Sequence, residues 1–298
     1  MDAVDKFLSY LRLERNYSEL TVKGYGKDLC GFEAYLKDID SQLSLATADA
    51  DVIRRWMESM MDKGHTATSI QRRLSALRSF YRFALSRGVR DDNPARDVRA
   101  PKKAKPLPKF VKDREMDLLL DEMLPPEKAE GDYKVSLART LFILLYETGM
   151  RRSELINLND SDIHLERGEI RVTGKRNKQR LIPMGDELRE AIEDYRCHRD
   201  KLPSRDIMPL LVSAKGLRLT EGQVRYIVEL GLGQVTTMKK KSPHVLRHTF
   251  ATSMLNGGAG IEAVRKLLGH ETVATTEIYT HTTFEQLRKE YERAHPRA

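Results

Sequence analysis

Apolar residues recur along the first hundred positions at intervals of three and four. Val4, Phe7, Leu8 and Leu11 form one such stripe; Val22, Tyr25, Leu29, Phe32 and Leu36 form a second, behind Ser18 in a capping position. A third helix is predicted over residues 49–63, around Val52, Trp56 and Met60. The fourth, in TSIQRRLSALRSFYRFALSRG, places Ile70, Leu74, Leu77, Tyr81 and Leu85 on one buried face. Arg72 and Arg82 then point away from that face and Arg73 and Arg78 sit on its flanks, with no acidic residue at i±4 to offset them. Four prolines follow among lysines (Pro94, Pro101, Pro106 and Pro108), a stretch that cannot continue a helix or a central strand.

Beyond this stretch the pattern becomes mixed. Residues 137–147 are strongly apolar and end at Thr148–Gly149, as a buried helix would. GEIRVTGKRNKQRLIPMG alternates apolar and polar positions on both sides of a polar turn, which predicts a β-hairpin with Lys175 at the start of its turn. Helical spacing returns over residues 186–199, 220–228, 243–256, 261–268 and 284–294. The fold class expected is mainly α with a small β-sheet in the second of two domains. Residues 1–100 form the first domain, 101–110 a basic Pro/Lys linker and 111–298 the second domain.

Composition narrows the class. A chain of 298 residues has room for two ordinary cores. No apolar run approaches the roughly 18–20 residues of a membrane span, and the N-terminus lacks a secretory pattern. Cys30 and Cys197 make no disulfide framework, so a reducing, cytoplasmic setting is expected. The net charge of +8 is concentrated: residues 70–109 hold twelve Lys/Arg against Asp91, Asp92 and Asp97. Such a block is either a solvated face or the footprint of a nucleic acid.

The chemistry lies in SPHVLRH and its surroundings. Ser242 and Pro243 are good helix-start residues, and His244, Arg247 and His248 follow within one turn. Histidines at i and i+4 can hold zinc, but no glutamate lies between these two, and a permanent guanidinium beside them would repel a cation. No metal is expected. A buried histidine pair is the plain alternative for the segment alone. The segment has company, however: Gly269 ends a helix just before His270, Tyr279 lies in TTEIYTH, and Arg151 follows the helix-ending Gly149. Two arginines can clamp a phosphodiester, histidines can donate to it or take a proton, and a tyrosine is a nucleophile only beside such cations. A lysine on a hairpin could protonate a leaving alkoxide. The chemistry implied is transesterification of DNA through a phosphotyrosine, with no cofactor and no nucleotide.

TGMRRSEL, GKRNKQRLIPM, PHVLRHTFAT, LLGH and TTEIYTH, in that order, resemble the motifs of the tyrosine recombinase (phage integrase) family, and the resemblance covers nearly the whole chain. It implies a helical, SAM-like core-binding domain and an α+β catalytic domain that clamp DNA between them. It implies that Arg151 and Arg247 bind the scissile phosphate, that His244 assists proton removal from Tyr279, and that His270 hydrogen-bonds the phosphate. Lys175 would be the general acid for the 5′ oxygen and Tyr279 the nucleophile that takes the 3′ phosphate, with Glu154 and His248 supporting the pocket. Arg72, Arg73, Arg78, Arg82, Lys102, Lys103, Lys105 and Arg176 are the expected DNA contacts. Met150, Arg176 and Ser253 stand where the family more often has leucine, glycine and histidine.

Within the family the chain is most similar to the Xer type, which implies chromosome-dimer resolution and a role in chromosome partition. A mobile-element integrase or DNA invertase of the same build is the alternative. A catalytically silent DNA-binding regulator is the different-class reading, opposed by competent residues at all six catalytic positions. The implied partners are a double-stranded recombination site, a homo- or hetero-tetramer on two duplexes, a second Xer recombinase and a DNA translocase. No membrane is expected as a partner, and the implied setting is cytoplasmic and nucleoid-associated. Phe284, Leu287, Tyr291 and Ala294 give the last helix one apolar face, which packs on its own domain or, as the resemblance implies, is donated to a neighbouring subunit.

Overall fold

A computed structural model describes residues 3–102, 109–129, 131–174, 177–269 and 281–297, with backbone alone at 281–283. The chain divides into two compact units, Met1–Pro106 and Leu107–Ala298.

The first unit is built from α1 (Ala3–Leu13), α2 (Glu19–Ile39), α3 (Ala50–Asp62) and α4 (Ala67–Ser86). Their starts are set by side chains that accept backbone N–H groups otherwise left unbonded: Ser18 from Thr21, Asp49 from Val52 and Thr66 from Ser69. Phe7, Leu29, Phe32, Trp56, Leu77 and Tyr81 meet in one core. Leu85, expected on the buried face of α4, is instead 44% exposed, because Phe80, Phe83 and Ala84 fill the interior at that end.

The proline-rich stretch begins as part of this unit. Ala95 and Val98 are buried in its core, and their carbonyls accept the guanidinium of Arg78, at 3.0 and 2.7 Å. Arg72 makes a two-point pair with Asp28, whose carboxylate is buried on α2. Arg73 donates to Met60 Sδ at 2.8 Å. Three arginines that α4 leaves without acids along its own length, Arg72, Arg73 and Arg78, therefore find partners on other elements, which spacing within one helix cannot show. Arg82 and Lys102 are exposed.

In the second unit α5 (Asp113–Asp117) runs into a π-type turn, Leu118–Met123, followed by α6 (Pro126–Ala129) and the central α7 (Tyr133–Thr148). Every residue of α7 from Arg139 to Thr148 is buried. It begins four residues before the apolar run, since Ser136 and Arg139 are also inside. Arg139 satisfies itself on the carbonyls of Leu120 and Leu124 and on Glu187. After α8 (Arg152–Asn157) come β1 (Ile163–His164), β2 (Glu169–Thr173) and β3 (Gln179–Pro183), antiparallel in that order. The predicted hairpin is β2–β3, and β1 adds an edge.

The remaining elements are α9 (Asp186–Arg199), α10 (Glu221–Val235), α11 (Pro243–Asn256), α12 (Ile261–Leu268) and α13 (His281–Ala294). The α10 helix outruns its predicted end because Gly231 is a packing residue: a Cβ there would lie 2.6 Å from the Phe142 ring. Ser242 precedes α11, but its hydroxyl makes no cap and has no hydrogen-bond partner among the described residues. Leu287, Tyr291 and Ala294 of α13 lie in this unit's own core. His295 stacks on Tyr291, with ring centroids 5.3 Å apart, and Arg297 ties the tail to Asp117, Asp121 and Glu187. Among the described residues no helix is long and apolar enough to cross a membrane.

Candidate active site

Two helices, α7 and α12, end on glycines with left-handed backbones: Gly149 at φ +56° and Gly269 at φ +63°. Helix C-termini carry unbonded carbonyls with partial negative charge, and here arginines occupy them. Arg247, buried on α11, donates through Nη1 to the carbonyl of Gly149 and through Nη2 to that of Leu268, both at 2.7 Å. Arg151, the residue before α8, donates through Nη2 to the carbonyl of Gly269 at 3.2 Å.

Glu154 lies at the centre. It is buried one turn into α8 and accepts from the Arg151 backbone N–H at 2.8 Å and from Arg151 Nη1 at 2.7 Å. The same carboxylate accepts Arg180 in a fork, Nη1 to Oε1 at 3.0 Å and Nη2 to Oε2 at 2.8 Å. Burial works to raise its pKa, but hydrogen bonds and charge from Arg180, and then from Arg151, hold it at about 2. Arg247 is pushed down to about 10, first by burial and then by the charge of Arg151, with Glu154 opposing. Three guanidinium groups around one carboxylate leave a cationic pocket. Each of Arg151 and Arg247 has five N–H donors, more than the bonds just described use, so both can add an anion in a two-point grip.

His244 and His248 are exposed on either side of the buried Arg247, which rules out a buried histidine pair. The pKa of His244 is lowered, by partial desolvation first and then by the positive charge of Arg152, Lys240 and Arg247. Its ring is therefore neutral at pH 7 and able to accept a proton.

The structure thus brings Arg151, Glu154, Arg247, His244 and His248 together in the second unit. Lys175, Arg176, His270, Tyr279, Lys103 and Lys105 lie outside the described residues. Arg72, Arg73, Arg78, Arg82 and Lys102 belong to the first unit. Arg180 escaped the sequence reading. Its signal was present: in the alternation of β3 it shares the inward face with Ile182, and an arginine at an inward position requires buried partners.

The model of the phage integrase family matches residues 110–286, and that of the N-terminal SAM-like domain of phage integrases matches residues 4–88. The chain belongs to the phage integrase family.

Among curated relatives, this recombinase is 35% identical to the tyrosine recombinase XerC of Chlorobaculum tepidum, over 98% of this chain and 94% of that one. It is 38% identical to the tyrosine recombinase XerC of Staphylococcus aureus strain USA300, over 99% and 96%. Likeness along both whole lengths makes it an Xer-type, site-specific tyrosine recombinase. The solved structure of XerH bound to its difH substrate before cleavage shares the fold. The TM-score is 0.68 at 22% identity, over 96% of this chain and 83% of that one.

Proposed function

We propose that this recombinase resolves chromosome dimers, cutting and rejoining DNA through a 3′-phosphotyrosyl link to Tyr279. The observation that carries the reading is the pair of arginines, Arg151 and Arg247, fixed on helix-end carbonyls, with Arg151 also bonded to the buried Glu154 carboxylate.

In the cleavage step the Tyr279 oxygen attacks the scissile phosphorus while neutral His244 assists removal of the phenolic proton. Arg151, Arg247 and His270 hold the non-bridging oxygens as charge gathers on them. The P–O bond to the 5′ oxygen breaks, and Lys175 protonates that oxygen. The phosphodiester energy is kept in the new bond to tyrosine, so a 5′ hydroxyl from another strand can reverse the step without ATP.

In this reading Glu154 and His248 support the pocket. The basic stretch of the first unit and Arg176 of the hairpin engage DNA phosphates. Among the described residues Arg72, Arg82 and Lys102 are exposed members of that set, Arg72 while paired with Asp28, whereas Arg78 is held mainly by its own unit. The working assembly is a tetramer on two duplexes, with α13 passing to a neighbour, and with a second Xer recombinase and a DNA translocase as partners.

A plasmid carrying two directly repeated candidate sites tests the assignment. Resolution with a chromosomal site, and none with the ends of a mobile element, is the expected outcome. The opposite preference would assign the protein to a mobile element.

A further inference from the structure

Arg180 is a buried cation beside the catalytic arginines that the proposed reaction leaves without a task. It is 6% exposed and, standing in one motif, bonds to two others. It lies on β3 of the lysine hairpin, forks the Glu154 carboxylate of the first arginine box, and donates through Nε to the carbonyl of Leu267 at 2.7 Å. Its guanidinium packs on Gly269, where an added Cβ would come within 3.1 Å of Nη1.

Burying a cation is costly unless it is paired and hydrogen-bonded, and here each of the three guanidinium nitrogens makes a hydrogen bond. The arrangement also divides one negative charge between two cations. Without Arg180, Glu154 would pair with Arg151 alone, and the neutralised Arg151 would have less charge to offer a phosphate. With Arg180 present, the carboxylate is shared and Arg151 remains cationic towards the pocket.

We infer that Arg180 is a positioning residue for cleavage: it shares Glu154 so that Arg151 keeps its charge and its place against the scissile phosphate. The inference rests on the reading of Arg151 as a phosphate ligand.

The test compares the full chain and its R180A, R180K and R151A variants on nicked suicide substrates. The scissile group is either the natural phosphodiester or an uncharged methylphosphonate, and the readout is the single-turnover rate of adduct formation. On the phosphodiester R180A should lose about a hundredfold, as a misplaced reacting group typically does, while equilibrium binding of the intact site holds. R180K should lose less, since lysine keeps the charge but cannot make the fork and the third bond together. On the methylphosphonate, which carries one negative charge fewer in both the ground and the transition state, the deficits of R180A and R151A should both shrink. Equal deficits of R180A on both substrates, or no deficit on either, would overturn the inference. Relief for R151A with none for R180A would overturn it and leave the Arg151 reading intact; no relief for R151A would remove both. If thermal melting shows that R180A does not fold, the same comparison on R180K decides.

Discussion

The guanidinium of Arg247 donates to the carbonyl of Gly149, ninety-eight residues earlier in the chain, at 2.7 Å. The contact ties the end of the most buried helix of the second unit to the arginine on α11. It depends on glycine twice. The residue stands at φ +56°, and an added Cβ would sit 2.4 Å from the Phe250 ring and 2.9 Å from Leu268. Gly149→Ala should therefore cost about 2–4 kcal/mol of stability, from backbone strain and overpacking together. It should also displace Arg247. Chemical denaturation measures the first effect; adduct formation on a suicide substrate, compared with binding of an intact site, measures the second. Cleavage should fall further than binding.

The lowered pKa of His244 sets where the acid limb of the reaction lies. The neutral ring is the form that accepts a proton, so the second-order rate of cleavage should hold down to pH values below the ordinary histidine pKa of 6.5, and fall only beneath it. In His244→Ala that limb should vanish from a slower, flatter profile. A limb at or above 6.5 that persists in the variant would assign it to another group.

How much of this was legible in the sequence depends on whether partners are near in the chain. The cap at Ser18 and the helix-ending glycines at 149 and 269 announce themselves because each acts on its own neighbours. The hairpin was legible from its alternation. Arg72 and Asp28, 44 residues apart, were not; a helix that lacks acids along its own length can still be neutralised from the next helix. The pairing of Glu154 with Arg180, 26 residues apart, was hidden for the same reason, although an inward-facing arginine on β3 signals that a buried partner exists. The continuation of α10 past residue 228 was not legible either, because the packing of Gly231 against Phe142 is a tertiary fact. In the site, motif order identified Arg151 and Arg247, but the helix-end carbonyls that hold them are backbone groups with no sequence signature.

Glu147 and Tyr291 offer a prediction away from the chemistry. The Tyr291 hydroxyl donates to Glu147 Oε2 at 3.1 Å, and both residues are fully buried. Burial, and then the charge of Glu187, hold the Glu147 carboxyl well above its ordinary value of 4.5. The folded state thus binds a proton that the unfolded state releases above pH 4.5. This group's contribution to stability is complete below that pH and declines as pH rises towards the folded value. Glu147→Gln keeps an acceptor for Tyr291 and removes the titration. At pH 8 it should melt above the wild type, by roughly 2–4 °C for each kcal/mol recovered in a unit of this size, and the two curves should converge near pH 4. A variant that melts lower at pH 8 would contradict the assignment.

The central claim is that a clamp of cations activates the Tyr279 hydroxyl for attack on DNA without a metal. The most direct measurement is covalent trapping on a nicked suicide substrate in the presence of EDTA, with the wild type and Tyr279→Phe side by side. The account predicts a protease-sensitive adduct at the 3′ phosphate with the wild type, undiminished by the chelator, and none with the variant. An adduct that survives Tyr279→Phe, or one that EDTA abolishes, would contradict it.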